Sequence, residues 1–136
     1  MPFEREILQK EGINAFYAGN PVLRQCEGYL ANANKEDKNH KVVSIMPGTR
    51  KEEIARILPI LNVIAKSLVV KHKFEVNLIG SDNIGKEFYN KYINSDYVKL
   101  ILPAKGRNLN AIYNSDFVIT KFGTSNLECA FLGVPF

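Results

Sequence analysis

Between Val42 and Leu58 the chain runs VVSIMPGTRKEEIARIL, and no other stretch constrains the fold as tightly. An apolar run of Val42, Val43, Ile45 and Met46 stops at Pro47-Gly48. Thr49 and Arg50 then open a segment whose apolar residues recur at helical spacing. That is the pattern of a buried strand, a tight turn and a helix N-terminus. Such a turn aims unpaired backbone N–H groups and the positive end of a helix dipole at one point, which suits a phosphate. Arg50 adds a planar, permanently charged fork able to grip a phosphate in bidentate fashion. A plainer reading accounts for the same residues: Pro-Gly turns the chain and Arg50 is solvated. On this stretch alone the two readings stand level.

The alternation extends in both directions. From Arg50 to about Val70, Ile54, Ile57, Leu58, Leu61, Ile64, Ala65 and Leu68 form one apolar stripe. Pro59 falls inside it and is expected to kink or split the helix. Upstream, Met1 to Lys10 is short and mixed, and Ile13 to Ala18 is expected to form a strand ended by Gly19-Asn20-Pro21. Val22 to Ala33 follows as a short helix and Asn34 to His40 as an exposed loop. Downstream, Phe74 to Ile79 is a strand ending in the turn Gly80-Ser81-Asp82. Ile84 to Ile93 is a helix with Ile84, Phe88 and Tyr92 inward, joined by Tyr89. Val98 to Leu102 and Phe117 to Thr120 are strands, with a helix over Asn108 to Asn114 between them. Asn126 to Leu132 is a helix that Gly133 closes, and Val134-Pro135-Phe136 opens a further strand.

Strands alternating with helices define an α/β fold, a Rossmann-like and mostly parallel sheet with flanking helices. Ligands on such sheets bind at the carboxyl ends of the strands, near the point where strand order reverses. Three turns are expected to converge there: Gly19-Asn20-Pro21, Pro47-Gly48-Thr49-Arg50 and Gly123-Thr124-Ser125.

At 136 residues the chain is one domain or a piece of one. Its net charge of +4 is scattered, with no run of basic residues, which argues against nucleic acid as a partner. The basic excess suits an anionic small ligand or an acidic membrane surface equally well. Two distant cysteines, Cys26 and Cys129, indicate reduced, cytosolic usage and offer no zinc spacing. Nothing approaches the ~18 apolar residues of a membrane span, and MPFEREILQK is no signal peptide. The expectation is a soluble cytoplasmic protein, with peripheral membrane contact left open.

KFGTSNLE, from Lys121 to Glu128, is the second chemical candidate. Gly123 lets backbone approach a ligand closely, and Thr124 or Ser125 can cap the helix. Glu128 can complete a capping box or accept hydrogen bonds from a ribose or sugar diol. A well-capped helix and nothing more is the plain alternative, yet the same strand–turn–helix pattern has already occurred upstream. Neither segment is a GxxxxGK[ST] loop or a GxGxxG fingerprint, so ATP hydrolysis and nicotinamide redox chemistry drop out. There is no Gly-x-Ser-x-Gly elbow and no histidine placed to serve Ser125. His40 and His72 sit in charged surroundings and read as surface residues. Asp116 reads as a helix end. No DxD-type carboxylate pair is present, so no metal is implied.

PFE near the start, FYAGNPV, IMPGTRKEEIARILPIL and SDFVITKFGTSNLECAFLGVPF occur in that order and rough spacing in lipid-A-disaccharide synthases. The chain resembles that family of inverting, two-Rossmann-domain (GT-B) glycosyltransferases along nearly its whole length. The resemblance implies transfer of 2,3-diacylglucosamine from UDP to 2,3-diacylglucosamine 1-phosphate, with a UDP-sugar as substrate and no cofactor. It implies action on the cytoplasmic face of the inner membrane. Carried over, it makes Pro47, Gly48, Thr49 and Arg50 the donor-side phosphate loop, with Arg50 balancing charge on the departing UDP. Gly123, Thr124, Ser125 and Glu128 match the second nucleotide-contacting loop, with Glu128 toward the ribose. Glu53 falls in the family's SRxxEI-type pattern. The family usually reads GHP at Gly19-Asn20-Pro21 and often SGT at Phe122-Gly123-Thr124. It also implies that residues 1–136 form part of the donor half. The acceptor half with its general base, and the C-terminal end, would lie outside, on another chain or a longer one, leaving this piece inactive alone. Another UDP-N-acetylhexosamine GT-B enzyme and a non-catalytic nucleotide- or partner-binding domain are the alternatives.

Overall fold

The computed structural model describes residues 2–102, 104 and 107–136, so Met1 of the mixed first stretch lies outside it. Four strands form one all-parallel sheet: β1 (Val42–Met46), β2 (Glu75–Ile79), β3 (Lys99–Ile101) and β4 (Phe117–Thr120). Their spatial order is β3-β2-β1-β4. Val43 stands opposite Val76 on one side and Phe117 on the other, and Ile45 stands opposite Leu78 and Ile119. β1 is central and covered on both faces, which is why it reads as a near-continuous apolar run rather than an alternating one.

The helices are α1 (Pro2–Lys10), α2 (Pro21–Leu30), α3 (Lys51–His72), α4 (Lys86–Asn90), α5 (Arg107–Tyr113) and α6 (Thr124–Phe131). Because successive strand residues point to opposite faces, the sheet separates two cores. On one face Ile45, Val76 and Leu78 pack with Ile54, Leu58, Leu61 and Ala65 of α3 and with Tyr89 of α4. On the other, Ile79 and Val118 pack with Cys26 of α2, Leu109 and Ile112 of α5, and Cys129 of α6. The α/β reading therefore holds, as a four-stranded parallel sheet flanked by helices.

Several local expectations change. Ile13 to Ala18 forms no strand: Ile13, Tyr17 and Phe16 (85% exposed) face solvent, and the Ile13 N–H closes α1 by donating to the Leu8 carbonyl at 2.9 Å. A strand needs a neighbour to take its backbone groups, and the apolar pattern of this segment could not supply one. The mixed first stretch is instead helix α1, which buries no residue. α3 runs unbroken through Pro59. The proline lies on the exposed face, so the Ala55 carbonyl it leaves without a donor is on the solvent side. α3 ends on Lys73 in the left-handed conformation (φ 59°), with the Lys73 and Phe74 N–H groups returning to Val69 and Leu68. α4 is a single turn, and its deepest aromatic is Tyr89 rather than Phe88 or Tyr92. Val134 to Phe136 is not a strand, although the Val118 N–H donates to the Pro135 carbonyl at 2.9 Å.

Candidate functional site

Chain order β1, β2, β3 moves outward in one direction, and β4 returns to the other side of β1. Strand order thus reverses between β1 and β4, the crevice where sheets of this class take their ligands. A cleft of about 530 Å³ opens at that point, lined by the turns that follow β1, β2 and β4.

Gly48, Thr49 and Arg50 line it from the first turn, while Pro47 is buried and does not. Gly48 has φ +104°, a conformation that L side chains resist, so the backbone path and not lack of room calls for glycine here. Arg50 is the N-cap of α3 in extended conformation and makes no side-chain cap. The first-turn N–H groups of a 22-residue helix therefore lack a capping side chain at the cleft, with the helix dipole behind them. The Arg50 guanidinium is 77% exposed and its Nη1 lies 3.4 Å from Glu53 Oε1. The other Glu53 oxygen pairs with the Lys121 ammonium. The Lys121 hydrogen bond holds the Glu53 carboxyl below the usual carboxylate range, and Arg50 adds to this.

The second turn starts from the adjacent strand. The Lys121 N–H donates to the Met46 carbonyl at 3.3 Å, carrying the β1/β4 pairing one residue past the strands. Gly123, Thr124 and Ser125 follow and all three line the cleft. Gly123 is the N-cap of α6: its N–H donates to Asn126 Oδ1 at 2.9 Å, and the Asn126 N–H donates to the Gly123 carbonyl at 3.1 Å. The reciprocal capping partner is therefore Asn126 and not Glu128, and Thr124 and Ser125 lie inside the helix rather than capping it. Ser125 Oγ is 2.7 Å from Thr120 Oγ1, which ties the helix start to the end of β4. Glu128, one turn into α6, is released from capping and turns its partly buried side chain to the cleft. Burial raises its carboxyl pKa, and among the described residues no cation offsets that rise. A carboxylate so placed is an acceptor suited to a diol.

The expected third turn does not join them. Gly19-Asn20-Pro21 follows no strand and lies off the cleft; the Asn20 side chain caps α2 by accepting from the Val22 N–H at 2.9 Å. The turn after β2 takes its place, with Gly80, Ser81 and Asp82 in the lining. The Ser81 N–H donates to the hydroxyl of the fully buried Tyr89 at 2.7 Å, which fixes this turn from below. Ser81 and Asp82 were absent from the site expected from sequence, and Lys121 opened the second candidate segment without a role of its own. Gly80-Ser81-Asp82 meets the criterion that selected the other loops, a turn at a strand's end. Asp116 stands at the opposite end of β4, accepting from the Lys41 ammonium and the Val42 N–H, and so braces the sheet.

Residues 1–136 match the lipid-A-disaccharide synthetase family. Lipid-A-disaccharide synthase 1 of Legionella pneumophila (strain Lens) is 28% identical over 145 residues, covering 98% of this chain and 36% of the relative. The lipid-A-disaccharide synthase of Helicobacter pylori (strain Shi470) is 29% identical over 136 residues, covering 100% of this chain and 35% of the relative. That of Solibacter usitatus (strain Ellin6076) is 28% identical over 140 residues, with 98% and 36% covered. The chain thus spans about a third of the length of these relatives. Because the match runs from end to end, through both turns at the strand reversal, the chain belongs to the lipid-A-disaccharide synthetase family, a family of glycosyltransferases.

Proposed function

We propose that this chain is part of the donor-nucleotide half of a lipid-A-disaccharide synthase. In that reading it holds the UDP of UDP-2,3-diacylglucosamine while the sugar passes, with inversion, to 2,3-diacylglucosamine 1-phosphate. The observation that carries the reading is the meeting of two strand–turn–helix units at the β1/β4 reversal, each opening its helix N-terminus into one cleft. The N–H groups at Gly48–Arg50 and at Thr124 and Ser125 receive the diphosphate, the Gly123 N–H being held by Asn126. Arg50 leaves its weak, exposed contact with Glu53 to neutralise charge that builds on the phosphate oxygens as the sugar–oxygen bond breaks. Glu128 accepts hydrogen bonds from the ribose hydroxyls.

The acceptor side and the general base lie outside these 136 residues, in the part of the fold that the longer relatives supply, so this chain alone binds without turning over. Acylated substrates favour a reaction at a membrane surface, in this reading the cytoplasmic face of the inner membrane. Among the described residues no helix is long and apolar enough to cross a membrane. Calorimetry of the chain with UDP tests the donor site. Saturable binding that Arg50→Ala weakens at least tenfold is expected, the size of a lost charge-assisted contact. Folded protein that takes up no UDP would sink the reading. Supplying the remaining segments and assaying UDP release from acylated donor plus acceptor tests the reaction itself.

A further inference from the structure

We propose that Lys121 supplies a second cationic contact to the donor's diphosphate, from the turn after β4, the strand beside the one that leads to Arg50. The inference rests on the donor-site reading above and deepens it. Lys121 begins the turn after β4, and its N–H bond to the Met46 carbonyl fixes its backbone directly beside the Pro47-Gly48 turn. Its aliphatic stem then crosses that turn: Lys121 Cδ lies 3.6 Å from the point a Cβ on Gly48 would occupy. The ammonium comes to rest on Glu53, which also faces Arg50. One carboxylate therefore gathers two cations that start from different loops and sets both at the mouth of one cleft.

Chemistry favours a ligand for this arrangement over a structural role. Lys121 and Arg50 are exposed, and exposed ion pairs add little to stability. An ammonium has three donors, and one bond to Glu53 leaves two for phosphate oxygens. Both cations stand next to the uncapped start of α3, while the other two carboxylates of the lining, Asp82 and Glu128, come from the turn after β2 and from α6. A diphosphate presents two anionic groups, and the two loops present one cation for each. Arg50 supplies the fork and Lys121 the point charge, a division of labour that the two side chains suit.

The test titrates the 136-residue chain with UDP by calorimetry and with uridine by amide NMR shifts, in wild type, Lys121→Met, Lys121→Arg and Arg50→Ala. Lys121→Met is expected to weaken UDP binding roughly tenfold, the scale of one charge-assisted hydrogen bond at an open site. Uridine binding should stay unchanged, and Lys121→Arg should recover most of the loss. Two results would overturn the inference while leaving the donor site intact. One is UDP affinity within about twofold of wild type in Lys121→Met when Arg50→Ala loses it. The other is an equal loss for uridine, which would place Lys121 away from the phosphates. If wild type binds neither molecule, the donor-site reading itself fails and takes the inference with it.

Discussion

Replacing Tyr89 with Phe tests how the fold holds the third cleft-lining turn. Tyr89 is fully buried, its ring stands edge-on to Phe88 at 5.7 Å, and its hydroxyl accepts the Ser81 N–H at 2.7 Å. Phenylalanine keeps the ring and its packing and removes one atom. Ser81 is itself buried, so its N–H would lose the acceptor it has here. An orphaned buried donor costs about 1–3 kcal/mol, and a loss near the middle of that range, about 2 kcal/mol, is expected. For a chain of this size that lowers Tm by roughly 6–10 °C. Urea unfolding followed by circular dichroism should show a lower midpoint at unchanged m. A loss below about 0.5 kcal/mol would refute the claim that this bond fixes the turn. Gly80→Ala presses on the same ring. Its Cβ would sit 3.0 Å from Tyr89 and from Leu102, for an overpacking cost of about 1–3 kcal/mol.

Three further outcomes follow from burial and charge. Burial raises the Glu128 pKa above its unfolded value, so the stability this group contributes is fully present below the unfolded pKa and is lost as pH rises through the folded one. Glu128→Gln should therefore be more stable than wild type at neutral pH, with the gap closing in acid, while it binds UDP more weakly; thermal melts across pH and calorimetry check the two halves. Asp116 behaves oppositely: its hydrogen bonds to Lys41 and the Val42 N–H lower its pKa. Its contribution is present above the unfolded pKa and lost as pH falls through the folded one, so Asp116→Asn should cost up to about 1 kcal/mol at pH 7 and nothing in strong acid. Burial pushes the Cys129 thiol up to about 11 and raises Cys26 as well, so neither should react with Ellman's reagent until denaturant opens the chain.

What the sequence made legible has a physical pattern. Val42–Met46, the Pro-Gly turn and α3 could be read because a strand buried on both faces is apolar at nearly every position, here all but Ser44, and because Gly48 must take a positive φ. The Gly123 turn was legible for a related reason, as a strand ending in glycine before an apolar helical stripe. Ile13–Ala18 misled because apolar content marks a segment that could be covered, while a strand exists only beside another. α4 is five residues long, too short for periodicity to separate Tyr89 from Phe88 and Tyr92. Lys121 stood in the second candidate segment, but its pairing did not. Its meeting with Glu53 spans 68 residues and depends on β4 lying next to β1, a fact of strand order that no local pattern contains.

The central claim is that the reversal between β1 and β4 holds a nucleoside diphosphate. Amide chemical-shift mapping of the 136-residue chain during UDP titration tests it most directly. The account predicts saturable shifts centred on Gly48, Thr49 and Arg50 and on Gly123, Thr124 and Ser125, with smaller ones at Ser81. Shifts confined to the opposite end of β1 and β4, around Lys35 to Lys41 and Asp116, or no saturable shifts at all, would contradict it.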